Sequence, residues 1–373
     1  MIKFLDLQAQ YTSIKGEIDA AIADVIADAA FIGGAPVRAF EAAFAHYLGV
    51  DHCIGVGNGT DALEIAIEAL RLPRGSHVVV PANSFIASAE AVTRSSCSPI
   101  FADVDPDSYT LSAETLRKSL TSETRAVIVV HLYGHPCDMD GIDAVAREHG
   151  LTIIEDCAQA HGAEYRGRKV GSFGACAAFS FYPGKNLGAY GDAGAIVTSD
   201  LELAQRARQI ANHGRLTKYD HEFEGRNSRL DGLQAAILRV KLAHLERWTE
   251  HRIAIANLYL NGLRDIPGVI LPARQTWARQ VYHLFVVRTE RRDELAAHLL
   301  AQGIETGIHY PKALPKQFAY RDHPQASADM FACRADSTLL SLPIGEHISP
   351  ANAEAVVKVI RGFFASDATS AVG

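Results

Sequence analysis

Two residues in this chain have the type and setting for covalent chemistry. Lys185 lies in Ser180-Phe-Tyr-Pro-Gly-Lys185-Asn-Leu-Gly188, just past an apolar, strand-like run over residues 175–181. Asp156 ends an earlier apolar run, Leu151-Thr-Ile-Ile-Glu-Asp156. A lysine leaving a Gly/Pro turn after a strand, and an aspartate closing a buried strand, are what pyridoxal phosphate chemistry requires. The lysine makes the Schiff base and the acid pairs with the pyridinium nitrogen. Each residue also has a plainer reading. Most lysines are solvated surface residues, and the aspartate could pair with an arginine or cap a helix. A bare buried carboxylate is costly, so Asp156 needs some partner; a protonated pyridine nitrogen is one, and a nearby carboxylate raises that nitrogen's pKa.

Other residues fit the same chemistry. Gly55-Val-Gly57-Asn-Gly59-Thr60-Asp61 follows a strand and opens a helix, so its backbone could meet an anion at a helix N-terminus. As a dinucleotide fingerprint it fails where Thr60 stands in place of the third glycine, and a turn without ligand fits it equally well. Ser180 could place a hydroxyl on a phosphate oxygen. Phe85, at the start of the next helix, could stack on a flat heterocycle, although a core role is the commoner fate of a phenylalanine. The sixteen histidines suggest a metal. His131 and His135 are separated by Gly134 and flanked by Pro136, which breaks any helix that would put them on one face, and there is no H-E-x-x-H, so no metal is expected.

These residues need elements to position them. Residues 14–30 and 37–48 read as helices around the break Phe31-Ile-Gly-Gly-Ala-Pro36. Strands are predicted over 53–56, 78–80, 99–102, 126–130 and 151–155, alternating with helices over 62–70, 86–93, 113–120 and 140–149. Thr60 or Asn58 is the expected N-cap of the helix over 62–70. Repeated βα units with continuously apolar strands predict an α/β fold around a largely parallel sheet. Strands over 176–181 and 194–198, joined only by a loop, suit an antiparallel edge. A long amphipathic helix over 229–260 should bridge two domains. A strand over 281–287, helices over 292–302 and 351–364, and a frayed tail over 365–373 follow. The expected division is a large domain over residues 1–245 and a small α+β domain over 246–373.

Composition sets the outer bounds. The 373 residues carry a formal net charge of −7, with 48% hydrophobic and 21% charged residues. That is ordinary for a globular protein and argues against nucleic-acid binding. No apolar run approaches a membrane span, and the N-terminus meets Asp6 and Gln8 too early for a signal-peptide core. Cysteines 53, 97, 137, 157, 176 and 333 form no C-x-x-C pair. A cytoplasmic protein is expected.

In this order, the segments resemble the DegT/DnrJ/EryC1/StrS group of nucleotide-sugar aminotransferases, fold type I pyridoxal phosphate enzymes. Phe4-Leu-Asp-Leu7, Phe31-Ile-Gly-Gly34, Gly57-Asn-Gly-Thr-Asp-Ala-Leu63 and His131-Leu-Tyr-Gly-His-Pro136 carry it. So do Glu155-Asp-Cys-Ala-Gln-Ala-His-Gly-Ala163, Ser180 to Gly188, Gly225-Arg-Asn-Ser-Arg-Leu-Asp231 and His309-Tyr-Pro311. The resemblance implies a mostly parallel seven-stranded sheet between helices in the large domain. It implies that Lys185 holds pyridoxal 5'-phosphate and Asp156 pairs with its ring nitrogen. Gln159 would contact the ring's phenolic oxygen, Phe85 would stack on the ring, and Gly59, Thr60 and Ser180 would hold the phosphate. Asn227 would reach the phosphate from a neighbouring subunit, making a homodimer part of the site. His309 and Tyr310 would lie near the sugar or its diphosphate.

The implied reaction moves an amino group from an amino acid, glutamate in the family, to a keto group of a nucleotide-linked sugar. Lys185 argues against the group's dehydratases, which carry histidine there. The chain resembles most the members acting on 3-keto sugars, which favours a dTDP-linked 3-keto-6-deoxyhexose in deoxyaminosugar biosynthesis. A UDP-linked 3-keto uronate or a 4-keto sugar stays open. So do a nicotinamide oxidoreductase, on the Gly55–Gly59 turn, and a non-catalytic sensor. Two departures from the family pattern, Gly75-Ser-His77 and Gly191-Asp-Ala-Gly194, are expected to affect loop shape rather than the reaction.

Overall fold

The computed structural model describes residues 1–370, apart from the side chains of 366–370. Its helices are α1 (Leu7–Ser13), α2 (Lys15–Ala27), α3 (Gly34–Leu48), α4 (Gly59–Ala69), α5 (Ala87–Arg94) and α6 (Ala113–Ser119). They continue with α7 (Met139–His149), α8 (Leu201–Ala211), α9 (Gly232–Leu263), α10 (Arg292–Ala301), α11 (Phe331–Ala335) and α12 (Pro350–Ser370). The strands are β1 (His52–Val56), β2 (His77–Pro81), β3 (Ser98–Ala102), β4 (Thr124–Val130), β5 (Thr152–Asp156) and β6 (Glu164–Tyr165). The others are β7 (Arg168–Lys169), β8 (Cys176–Ser180), β9 (Gly194–Thr198), β10 (Ala278–Arg279), β11 (Phe285–Arg288) and β12 (Leu339–Leu342).

Seven strands form the main sheet in the order β1-β9-β8-β5-β4-β2-β3. β2 pairs in parallel with β3 and β4, β4 with β5, and β5 with β8. β9 alone runs against its neighbours, antiparallel to both β8 and β1. The predicted antiparallel relation is present, but β9 is not the edge: β1, made much earlier in the chain, closes outside it.

The valine- and isoleucine-rich strands are buried on both faces, as parallel sheets require. Alternate residues serve opposite layers. Val78 and Val80 pack with Leu63, Ile67 and Val92 of α4 and α5, whereas Val79 packs with Val127, Leu116 and Ile142 beneath α6 and α7. Phe179 and Val197 of β8 and β9 meet Phe40 and Phe44 of α3 and Leu238 of α9.

A second core holds β11 and β12, paired antiparallel, with Ile255, Tyr259 and Leu263 of α9, Leu295 and Leu299 of α10, and Ile360 of α12. β6, β7 and β10 form a small separate sheet.

Several element ends differ from expectation. The helix expected over 14–30 is α2, and Ile14, outside helical geometry (φ −131°), separates it from α1, which was not predicted. α4 starts a turn earlier than residue 62. Asn58 caps it by accepting the Asp61 N–H at 2.8 Å, which places Gly59 and Thr60 in its first turn. The strand over 281–287 begins only at Phe285, since Tyr282 adopts a positive φ of 45°. α8, capped by Asp200, and β12 were not predicted. The tail expected to fray from 365 instead continues α12 to Ser370; residues 371–373 lie outside the described residues. All six cysteines are free, five of them buried and Cys333 half-buried. No helix among the described residues is long and apolar enough to cross a membrane.

Candidate active site

The C-terminal ends of the parallel strands open into a cavity of about 770 Å³, the usual place for a ligand in such sheets. Gly59, Thr60, Phe85, Asp156, Gln159, Ser180, Lys185 and Tyr310 all line it. Eight residues chosen from motifs scattered along the chain thus face one space.

Asp156 is the last residue of β5 and is buried. One carboxylate oxygen accepts the Ala158 N–H at 3.1 Å and the other accepts the Ser88 hydroxyl at 2.8 Å. Burial pushes its pKa up; Ala158, Ser88 and the positive charge of Lys185 pull the other way. Lys185 follows the tight turn after β8. Its backbone N–H bonds Tyr182 O at 2.8 Å. Burial lowers its pKa to about 8, with Asp156 opposing the shift. A lysine so placed has a substantial neutral fraction near neutral pH and can attack a carbonyl or move a proton. Gly188 completes the turn where a side chain would collide with backbone: a Cβ there would lie 2.3 Å from Pro183 O. Lys241 of α9, fully buried, donates to Gly188 O at 2.5 Å and fastens the turn from below.

The strand before Asp156 is anchored on its other face. Glu155, fully buried, accepts N–H groups from Gly171 (2.7 Å), Phe173 (2.7 Å) and Gly174 (2.8 Å). His131 adds a fourth bond at 3.0 Å. Since Cys137 N–H donates to His131 Nδ1, the ring proton sits on Nε2 and points at Glu155. Burial would raise the Glu155 pKa, but these bonds outweigh it and hold the carboxyl below its usual value. His131, Glu155 and Cys157 bring three possible ligand atoms within 4.8 Å. The His131 and Glu155 atoms are committed to these hydrogen bonds, and burial pushes the Cys157 thiol up to about 12. The cluster is structural.

At the opposite end of the cavity, the first-turn N–H groups of Gly59 and Thr60 in α4 are free of helical partners, as at any helix start. Glycine is required here: a Cβ on Gly59 would lie 2.6 Å from Ser180 Cβ. Gln159 is held from both sides, accepting the Tyr133 N–H at 2.8 Å and donating to the Tyr310 hydroxyl at 2.8 Å. Phe85 is 56% exposed and its ring lies 5.9 Å from that of Tyr310, so it presents a face to the cavity rather than filling the core.

The structure separates two residues from this group. His309 does not line the large cavity. It lines an adjoining one of about 210 Å³, reached past Lys185, Gln159 and Tyr310, and its pKa falls to about 4 through burial and then Lys185. Asn227 lines neither cavity; its backbone pairs with Asn212. Of the segment Gly191-Asp-Ala-Gly194, expected to affect loop shape rather than the reaction, Asp192 lines the cavity.

Ser88, Tyr133, Asp192, Arg252 and His283 went unrecognised in the sequence. Tyr133 could have been found, because it lies inside the His131–Pro136 segment. Nothing local marks Ser88, whose partner is 68 residues away.

The donor set fits pyridoxal 5'-phosphate: a lysine and an acid bury together, and a glycine-floored helix start faces a hydroxyl from Ser180. The family model for DegT/DnrJ/EryC1/StrS aminotransferases matches residues 12–361. A Streptomyces venezuelae protein named dTDP-3-amino-3,4,6-trideoxy-alpha-D-glucose transaminase is 47% identical, over 96% of this chain and 95% of its own. The erythromycin biosynthesis sensory transduction protein EryC1 of Saccharopolyspora erythraea is 45% identical, over 96% of this chain and 99% of its own. The structure of S. venezuelae DesV in complex with a ketimine intermediate superposes with a TM-score of 0.95 at 46% identity, covering 97% of this chain and 98% of that one. A Bacillus subtilis NtdA structure with bound PMP gives 0.88 at 28%, covering 96% and 85%. The chain belongs to the DegT/DnrJ/EryC1/StrS aminotransferase family.

Proposed function

We propose that this protein uses pyridoxal 5'-phosphate to transfer an amino group from L-glutamate to the 3-keto group of a dTDP-linked 6-deoxyhexose. The observation that carries this is the pairing of buried Lys185 and Asp156 on one cavity. The 47% identical relative supports the choice of sugar.

When bound, the cofactor supplies an aldehyde that takes up the amino group and a ring that withdraws electrons. The chain supplies the rest. Asp156, oriented by Ser88 and Ala158, keeps a negative charge where a ring nitrogen must stay protonated. Lys185 holds the cofactor and then carries a proton between the two carbons that exchange hydrogen. Gly59, Thr60 and Ser180 hold the phosphate, Gln159 the phenolic oxygen, and Phe85 covers the ring. Tyr310 and His309 serve the sugar side. The Gly55–Gly59 turn is thereby assigned to phosphate rather than to a nicotinamide nucleotide.

The protein is further proposed to work as a cytoplasmic homodimer, with Asn227 of the partner subunit completing the phosphate site. Support comes from exposed apolar side chains, Ile32 at 57% and Tyr182 at 59%, and from Asn227 not lining its own chain's cavity. A division near residue 245 is supported by α9 leaving one core after Leu245 and entering the other by Ile255.

The test is a half-reaction. Protein carrying the aminated cofactor is mixed with a panel of nucleotide-linked keto sugars while the aldehyde form is followed by absorbance. The dTDP-linked 3-keto-6-deoxyhexose should restore it fastest. Restoration by a UDP-linked 3-keto uronate or a 4-keto sugar instead would reassign the substrate. Restoration by none would favour a sensory role, the one in the name of the S. erythraea relative.

A further inference from the structure

The adjoining cavity of about 210 Å³ has a distinctive lining. Lys185, Arg252, His283 and His309 face it with Gln159 and Tyr310, and no carboxylate among the described residues does. Arg252 of α9 is only 3% exposed. Its Nε donates to Glu346 at 3.0 Å, and Nη1 donates to the Tyr282 and Ile344 carbonyls at 3.2 and 3.3 Å. Among the described residues, Nη2 has no hydrogen-bond partner. A guanidinium presents its donors in a fixed fork matched to carboxylates, so one arm of this cavity-lining residue remains available.

The setting of the arginine favours an anion. Lys241, earlier on α9, is also buried, and burial lowers its pKa to about 8 with Glu346 opposing the shift, so the Arg252–Glu346 pair is the ion pair at this wall. His283 gives the cavity polarity at its other side. Asn186 donates to Val281 O and so presents its oxygen to His283 Nδ1 at 3.1 Å. The imidazole therefore carries its proton on Nδ1 and a lone pair on Nε2. Burial, then Lys185 and Arg252, hold it well below its usual pKa, so it stays neutral and can accept from an ammonium group.

We propose that this cavity, on the opposite side of Lys185 from the phosphate end, receives the amino donor, with Arg252 Nη2 binding a donor carboxylate. The inference rests on the transaminase reading for the identity of the donor as an amino acid. The site itself rests on the free arm of the fork and the lining without acids.

The test uses the cofactor-loaded protein and two variants, Arg252→Gln and Glu346→Gln. Steady-state KM values are measured for glutamate and for the keto sugar, and glutarate, which cannot donate an amine, is titrated by calorimetry. Arg252→Gln should raise the glutamate KM and weaken glutarate about 10- to 100-fold, the range for a lost charged hydrogen bond, while the sugar KM moves less than about twofold. Glu346→Gln removes the competing charge but keeps an acceptor for Nε. It should tighten glutarate by roughly threefold or more, a gain that a merely structural arginine would not give. Alanine as donor separates the two carboxylates: if Arg252 holds the α-carboxylate the alanine KM rises in parallel, and if it holds the side-chain carboxylate only glutamate suffers. Should Arg252→Gln fail to fold, Glu346→Gln decides. Glutarate that does not compete with glutamate, KM values that move together, or unchanged glutarate binding in Glu346→Gln would each overturn the proposal. Glutarate binding is read without any sugar, so a protein that binds it through Arg252 yet aminates no keto sugar would keep this site and lose the sugar assignment.

Discussion

The role proposed for Lys185 requires a free amine, and its surroundings decide when it is one. With a pKa lowered to about 8, the amine is mostly protonated below that pH and mostly neutral above it. Capture of pyridoxal phosphate by the apoprotein should therefore speed up about tenfold per pH unit below about 8 and level off above it. Stopped-flow absorbance on reloading the apoprotein measures this. Lys185→Ala should bind the cofactor only reversibly, release it on dialysis and lose turnover; a flat pH profile, or turnover in the variant, would contradict the assignment. Lys185 and Asp156 were legible in the sequence because each stands in a segment whose neighbours serve one purpose: a turn, or a buried strand end. Ser88 and Arg252 were not, because their partners come from distant parts of the chain and only the fold brings them together.

The element that positions the acid is β5, and its grip comes from a residue facing away from the site. Glu155 collects three backbone N–H groups from the 171–174 loop and the His131 proton. Each oxygen serves two donors, so in Glu155→Gln whichever way the amide turns, its NH2 meets two N–H groups. The expected cost is about 3 kcal/mol or more, seen as a lower urea midpoint with an unchanged slope. A weaker hold on the cofactor should accompany it, because the same strand end carries Asp156. A variant as stable as the parent would show the network to be dispensable. At this scale the βα alternation was plain from buried apolar runs, and the antiparallel turn of β9 from its short connection. The place of β1 outside β9 was not, since sheet order depends on packing between segments remote in the chain. α8 carries its apolar residues at helical spacing after a capping Asp200, a signal present in the sequence and overlooked.

At the scale of the whole molecule, the proposed partner contribution can be separated from folding. Lys185→Ala and Asn227→Ala chains, each impaired alone, should regain activity when mixed and allowed to exchange subunits, because one of the two mixed sites carries both native residues. About a quarter of parental activity is the ceiling for random pairing, one intact site among four. No recovery, with subunit exchange verified by sedimentation, would place Asn227 outside the neighbouring site.

α9 runs unbroken for 32 residues beneath both cores, and this bears on attempts to recombine relatives. Lys241 belongs with the lysine turn through Gly188, whereas Arg252 belongs with Tyr282, Ile344 and Glu346. A hybrid that grafts another member's C-terminal third should place its seam between these two positions. A cut beyond Arg252 would leave the guanidinium with one parent and its acceptors with the other, and donor preference would be lost even in a hybrid that folds.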